Sequence, residues 1–259
     1  MDQISSLYLL VVSGFVGACI GSFLNVCIFR WPNDESVVSP RSRCGGCGTP
    51  IPWYSNIPIL SYLVLRGRCG SCGIKLSAQY PLVEATVGVI WAGMVWQWGP
   101  TPEALRGALF LTILLGIALT DARTYIIPDQ FSVGGALLGL AMSPLSGGPT
   151  FVASLSGAAL GYGLLWAIAV LGKLAFKKDA MGGGDVKMMA MVGAFLGPAG
   201  VLLTVFAGAL FGSVVFGPIS LKTGKLVPFG IFLALGGALT YGWGDVLIHW
   251  YSTTILGLP

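Results

Sequence analysis

Residues 7–29 read LYLLVVSGFVGACIGSFLNVCIF, an apolar run without a charged side chain. A helix needs roughly 20 such residues to cross the hydrocarbon core of a bilayer, so the run predicts a membrane-spanning helix. It has no basic segment before it and no small-residue cleavage pattern after it, which predicts a retained span rather than a signal peptide. The rest of the chain has the same character. Of 259 residues, 55% are hydrophobic and only 9% charged, against about 25% charged in ordinary soluble domains. Further apolar segments lie at 82–98, 104–120, 131–145, 151–171, 186–196, 201–221 and 227–249. The expected fold is therefore an all-α polytopic membrane protein with about eight transmembrane helices. Several segments are short and must borrow flanking residues. Gly197 and Pro198 interrupt the sixth, for which a re-entrant hairpin is the competing expectation.

Lys and Arg accumulate in cytoplasmic loops, which gives an independent test of the count. With eight spans, Arg30, Arg41, Arg43, Arg66, Arg68 and Lys75 fall in the first loop and Arg123 in the third. Lys173, Lys177, Lys178 and Lys187 fall in or beside the fifth, and Lys222 and Lys225 in the seventh. Only Arg106 falls opposite. Both termini are therefore expected on the periplasmic side. The net charge of +4 is topological, and nothing calls for nucleic acid.

Asp121 and Asp185 stand where apolar segments meet short polar loops, the second in the run Met181-Gly-Gly-Gly-Asp185. An ionised carboxylate within a bilayer costs roughly 2.5 to 3.5 kcal/mol on insertion scales, so such residues usually serve chemistry or transport. The orientation above puts both at the cytoplasmic side, where they can meet as an aspartic dyad. Gly182, Gly183 and Gly184 allow a peptide or another helix to come close to Asp185. They lack the Gly-Lys-Ser/Thr ending of a phosphate loop. Ile127-Pro128 should end the third helix and open the fourth, leaving Asp129 as a first-turn carboxylate suited to the helix dipole. Lys187 reads as a snorkelling anchor, with a substrate-binding role as the alternative. The same dipole reasoning places the dyad's resting proton on Asp121, at a helix C-terminus, and makes Asp185, which opens a helix whose free N–H groups favour its anion, the base.

His249 is the only histidine and is expected at the far end on the opposite face, so a Ser-His-Asp triad and an HExxH zinc protease are both unavailable. Two aspartates sharing one proton can hydrolyse a peptide without histidine. A proton-coupled transporter using Asp121 and Asp185 as a relay is the alternative class.

Residues 30–81 hold Cys44-Gly-Gly-Cys47 and Cys69-Gly-Ser-Cys72. So short a segment buries too little core to fold unaided. Two CxxC pairs suit a tetrahedral four-cysteine zinc site, and a loop facing a reducing cytoplasm favours zinc over disulfides. Cys19 and Cys27 read as small apolar residues of the first span.

Gly21-Ser-Phe-Leu-Asn25-Val, Arg30-Trp-Pro32, Ser39-Pro-Arg-Ser, the paired CxxC motifs around Asn56-Ile-Pro58, and Tyr80-Pro-Leu-Val-Glu84 resemble the N-terminal half of the bifunctional type IV prepilin peptidases. Asp121 with Ile127-Pro-Asp129, then Gly182-Gly-Gly-Asp185-Val-Lys187 and Pro228-Phe-Gly230, resemble the GxGD-type peptidase half in the same order. The resemblance implies a membrane aspartic endopeptidase of the bacterial inner membrane. It would remove the leader from prepilins or pseudopilins at the cytoplasmic face, then N-methylate the new terminus with S-adenosylmethionine. It implies Asp121 and Asp185 as catalytic, and links Gly67 and Arg68 to methyl transfer. Glu84 opens the second span, where the dipole accounts for it; a part in methylation is the other reading. The expected organisation is a first span over 1–29, a cytoplasmic zinc loop associated with methyl transfer over 30–81, and a multi-span peptidase domain over 82–259.

Overall fold

The computed structural model describes residues 3–145, 147–177, 181–223, 228–255 and 257. Lys178, Lys225 and the first residue of the expected last span, Val227, lie outside them. The described elements are α1 (Gln3–Arg30), α2 (Leu60–Val64), α3 (Gln79–Trp98), α4 (Pro102–Thr124), α5 (Asp129–Met142), α6 (Phe151–Phe176), α7 (Gly183–Thr223) and α8 (Phe229–Thr254). Short 3-10 turns cover Trp31–Asn33 and Trp53–Asn56. Among the described residues no strand occurs, only isolated β-bridges between residues 43 and 50 and between 68 and 75. Among the described residues five helices, α1, α4, α6, α7 and α8, are long and apolar enough to cross a membrane, α7 over Gly183–Val215. The chain forms two compact units, Met1–Thr112 and Ile113–Pro259.

In the first unit α1 packs along α3. The contact is close because α1 offers glycines to it. A Cβ at Gly21 would stand 2.8 Å from the Glu84 Cα, and one at Gly17 2.7 Å from the Trp91 Cβ. Lipid tails are as apolar as leucine, so helices in a bilayer associate through such small-residue contacts rather than by hydrophobic burial. The first turns of α3 are thereby set beside Asn25, whose Nδ2 donates to the Tyr80 carbonyl.

In the second unit α7 packs on α5, α6 and α8. Gly197 has φ +70° and ψ −176° and breaks α7 into two arms. The packing shows that the second arm runs back alongside the first. Gly184 and Gly230, in the first turns of α7 and α8, both lie against Ile127, so these helices start at the same end. Thr204 bonds Thr240 at 3.2 Å while Gly212 lies against Phe232, so the second arm returns toward the start of α8. The interruption expected at Gly197-Pro198 is thus the apex of a helical hairpin. At 1.5 Å per residue its first arm is about 21 Å long, shorter than the ~30 Å hydrocarbon core.

Glycines also set the α6–α7 crossing. Gly157 and Gly193 face one another so closely that a Cβ on either would fall on the other's carbonyl oxygen. The outer side of α6 carries Leu155, Trp166, Leu171 and Leu174, all more than half exposed or close to it. Apolar residues outside and glycines inside suit a lipid-facing helix. Gly157→Val should overpack this crossing and cost about 3 kcal/mol or more. Gly163→Ala, where a Cβ meets nothing within 4 Å, should be close to neutral. Thermal unfolding in detergent micelles compares the two.

Candidate active site and metal centre

Asp121 lies in the last turn of α4, just before Tyr125 turns the chain with φ +57°. Its carboxylate, only 5% exposed, meets the start of another helix. The Asp121 Oδ2 accepts the Ile231 N–H at 3.3 Å, and the Gly230 N–H also faces it. These belong to the first turn of α8, whose N-cap is Pro228 and has no side-chain cap. The first N–H groups of any helix lack partners inside it. Asp121 therefore caps α8 from another helix, which accounts for Gly230: a Cβ there would be 2.8 Å from the Asp121 Oδ2.

Asp185 is the third residue of α7 and is 9% exposed. Its Oδ2 faces Gly182, while its Oδ1 is buried with no hydrogen-bond partner among the described residues. Asp121 meets the first turn of α8, and Gly184 of α7 and Gly230 of α8 both lie against Ile127, so the two predicted carboxylates are brought together. Ile127 packs between their supports, its side chain against both Gly184 and Gly230. The glycine run differs from its expected form. The helix already begins at Gly183, so Gly182 alone is outside it. Only Gly184 is required by packing, since a Cβ there would sit 2.9 Å from the Ile127 Cβ.

The dipole argument set the C-terminus of α4, at Asp121, against the N-terminus of α7, at Asp185. The two α8 N–H groups that serve Asp121 and the unserved Oδ1 of Asp185 weigh against it. Lys187 also differs from a free anchor. Its Nζ donates to both Asp129 oxygens, at 2.8 and 2.9 Å, tying α7 to the first turn of α5. Both side chains are about half exposed, and such surface pairs contribute about 0 to 1 kcal/mol. Gly230, Ile231 and Ile127 were not singled out as site residues. An uncapped Pro228-Phe-Gly before an apolar run was the available signal.

In the first unit the four sulfurs of Cys44, Cys47, Cys69 and Cys72 lie within 4.8 Å of one another, and all four thiols are free. Four ligands about 2.3 Å from one zinc ion stand about 3.8 Å apart, the separation of the Cys44 and Cys72 Sγ atoms being 3.8 Å. The two motifs fold alike. In the first, Cys44 N–H bonds the Thr49 carbonyl and Gly48 N–H the Cys44 carbonyl; in the second, Cys69 N–H bonds Ile74 and Gly73 N–H bonds Cys69. Gly48 and Gly73 both take φ +70°, which a side chain would strain. Hydrogen bonding by the Thr49 hydroxyl and N–H pulls the Cys47 thiol down to about 6. The Cys72 and Ser71 N–H groups lower Cys69. The donor set fits a closed structural zinc site, with no position left for catalysis.

Of the residues linked to methyl transfer, Glu84 is buried and lines a cavity of about 360 Å3. Gly67 and Arg68 stand at the second knuckle, outside that lining. Zinc should be present at about one ion per chain and lost in Cys44→Ser or Cys47→Ser, as elemental analysis reads. Ligation requires thiolate, so protons compete with the metal. Metal should be retained at pH 7 and released progressively as the solution is acidified.

Residues 15–98 match the Bacterial Peptidase A24 N-terminal domain and residues 108–217 the Type IV leader peptidase family. A prepilin leader peptidase/N-methyltransferase of Myxococcus xanthus is 38% identical over 82% of this chain and 64% of its own length. That of Neisseria gonorrhoeae is 32% identical over 93% of this chain and 94% of its own. That of Aeromonas hydrophila is 35% identical over 92% and 91%. The chain thus spans somewhat less than two thirds of the Myxococcus relative and nearly all of the other two. No solved structure matches significantly. With both family domains in order and identity extending over nearly the whole chain, the protein belongs to the prepilin leader peptidase/N-methyltransferase family.

Proposed function

We propose that the protein is a membrane aspartic endopeptidase that cleaves the leader from type IV prepilins or pseudopilins and then N-methylates the new terminal residue. The observation that carries the peptidase reading is the pair of buried carboxylates, Asp121 and Asp185, set at helix starts that share Ile127 within an apolar helical unit. No observation favours the transporter alternative. Hydrogen bonding suggests the division of labour. Asp121, served by α8 N–H groups, draws a proton from water as the water attacks the scissile carbonyl carbon. Asp185, whose Oδ1 has no partner, gives its proton to the carbonyl oxygen. The C–N bond then breaks as the amine takes up the proton held by Asp121, while a hydroxyl of the tetrahedral intermediate returns its proton to Asp185 as the carbonyl re-forms.

Methyl transfer draws its methyl group from S-adenosylmethionine. The zinc cluster over 30–81 holds the loop that carries this activity, and residues 82–259 hold the peptidase. We read eight crossings, with α7 counted as two arms, both termini in the periplasm and the dyad at the cytoplasmic face. The distribution of Lys and Arg supports this orientation. A prepilin's scissile bond, between a cytoplasmic leader and an apolar helix, meets the dyad at that depth.

Asp121→Asn and Asp185→Asn should each lower cleavage of a purified prepilin by about 10²- to 10⁴-fold or more while the protein still inserts. Near-normal processing by either would remove the dyad. Gly230→Ala should displace the Asp121 carboxylate and lower kcat about 10²-fold, the effect of a misplacement near 1 Å. Asp129→Asn, which breaks only the exposed pair with Lys187, should keep substantial activity. Leader removal is read by intact mass, and the methyl group by a further shift when S-adenosylmethionine is present.

A further inference from the structure

The cavity of about 360 Å3 in the first unit lies between the cytoplasmic end of α1, the start of α3 and the cysteine loop. Its volume is within the range of small-molecule sites, roughly 300 to 1,000 Å3. Asn25 lines it and is 2% exposed. The Asn25 Nδ2 donates to the Gly21 and Tyr80 carbonyls, at 3.3 and 3.2 Å. Both partners are acceptors, so the amide nitrogen must face them and the orientation of the side chain is determined. The Asn25 Oδ1 is then left buried without a partner. Buried polar atoms in native proteins are nearly always bonded, and an orphan asks for a ligand or water.

Glu84 lines the same cavity and is 8% exposed. One oxygen is committed, since its Oε2 accepts the Ile59 N–H at 2.7 Å. Ile59 has φ +62° and ψ −50°, closed by a Leu60 N–H to Pro58 carbonyl bond of 2.5 Å. A β-branched residue in this γ-turn is strained, and such strain persists where the surroundings enforce it, often at ligand sites. The Glu84 clamp holds the segment with Asn56 and Ile57 on the cavity wall. Aromatic surface is at hand, because Phe29 and Tyr80 stack with centroids 5.7 Å apart and both line the space.

We propose that this cavity binds the methyl donor, S-adenosylmethionine, with the Asn25 Oδ1 and the Glu84 carboxylate facing its cationic sulfonium and ammonium end and the Phe29–Tyr80 pair offering surface to the adenine. An amide oxygen and a carboxylate suit a ligand that is positive where it reacts; Arg30, which donates to the Ser36 and Pro40 carbonyls, and Arg43 line the same cavity and suit the carboxylate of its amino-acid end. The inference rests on the methyl-transfer reading and goes beyond it by assigning the site.

The test uses the full-length zinc-loaded protein in detergent. Titration calorimetry measures S-adenosylmethionine binding. Direct ultraviolet crosslinking of the radiolabelled compound, followed by peptide mapping, locates it. Label is expected in residues 22–30 or 55–84 and should be displaced by S-adenosylhomocysteine; label confined to residues 113–259 overturns the proposal. Glu84→Gln keeps an oxygen for the Ile59 N–H but removes the charge, and Asn25→Leu removes the orphan acceptor. Each should weaken binding at least tenfold, and unchanged affinity in both, with zinc retained, overturns the proposal. Where a variant loses zinc or unfolds early, the crosslink map of the unmodified protein decides. Absence of any binding by the unmodified protein would defeat the methyl-transfer reading itself, a result distinct from binding that maps elsewhere.

Discussion

A carboxylate inside an apolar helical unit has to find its hydrogen-bond partners in the protein, because the bilayer core offers none. Asp121 meets this constraint by taking the place of the missing cap on α8. Much of the second unit follows from that one contact. Residue 230 must be glycine so that the oxygen can approach, and Ile127 must fill the space left beside Gly184 and Gly230. The start of α7 is thereby brought to the start of α8, which is what sets Asp185 against Asp121. Asp185 does not satisfy the constraint. Its unserved Oδ1 is the kind of local violation that functional sites retain and ordinary packing removes.

The geometry around the pair depends on close helix contacts that soluble proteins seldom need. Water expels apolar side chains into a soluble core, whereas lipid gives helices no such reason to meet. The α6–α7 crossing answers with backbone against backbone at Gly157 and Gly193. Met188, Met189, Met191 and Val192 are fully buried on the same arm of α7. Flexible methionines can fill the irregular space that a glycine crossing leaves around itself. The hairpin at Gly197 then lets one continuous segment present its first arm to α6 and its second to α8.

Local chemistry was legible in the sequence, and long-range pairing was not. Asp121, Asp185 and the four cysteines each stand out by residue type and immediate neighbours, and the structure brings each set together. The expected helices also recur at nearly the expected bounds, because apolar length is a local property. By contrast, the Asp121 contact with Ile231 joins residues 110 apart, and that of Lys187 with Asp129 joins residues 58 apart. Dipole reasoning from the two helices that carry the aspartates put the resting proton on Asp121 because α8 does not figure in it. The bond from Glu84 to Ile59 was hidden for a similar reason. Nothing in Pro58-Ile59-Leu60 announces a positive φ at isoleucine, since only the acceptor on α3 stabilises it.

The cysteine loop shows how a staple can act at a distance from the atoms it holds. Gly67 does not line the cavity, yet its φ of +66° and its missing side chain let the Tyr62 ring come within 2.9 Å of where a Cβ would stand. Its N–H bonds the Tyr62 carbonyl, and its carbonyl accepts the Leu76 N–H. The Tyr62 hydroxyl in turn reaches the Leu76 carbonyl at 3.4 Å. Tyr62 and Leu76 both line the cavity, and Leu76 follows directly on the bridge between residues 68 and 75 that closes the second knuckle. A metal that holds Cys69 and Cys72 therefore holds that bridge, and through it one wall of the cavity. A substitution at Gly67 would act on the cavity through Tyr62 rather than by touching what binds there.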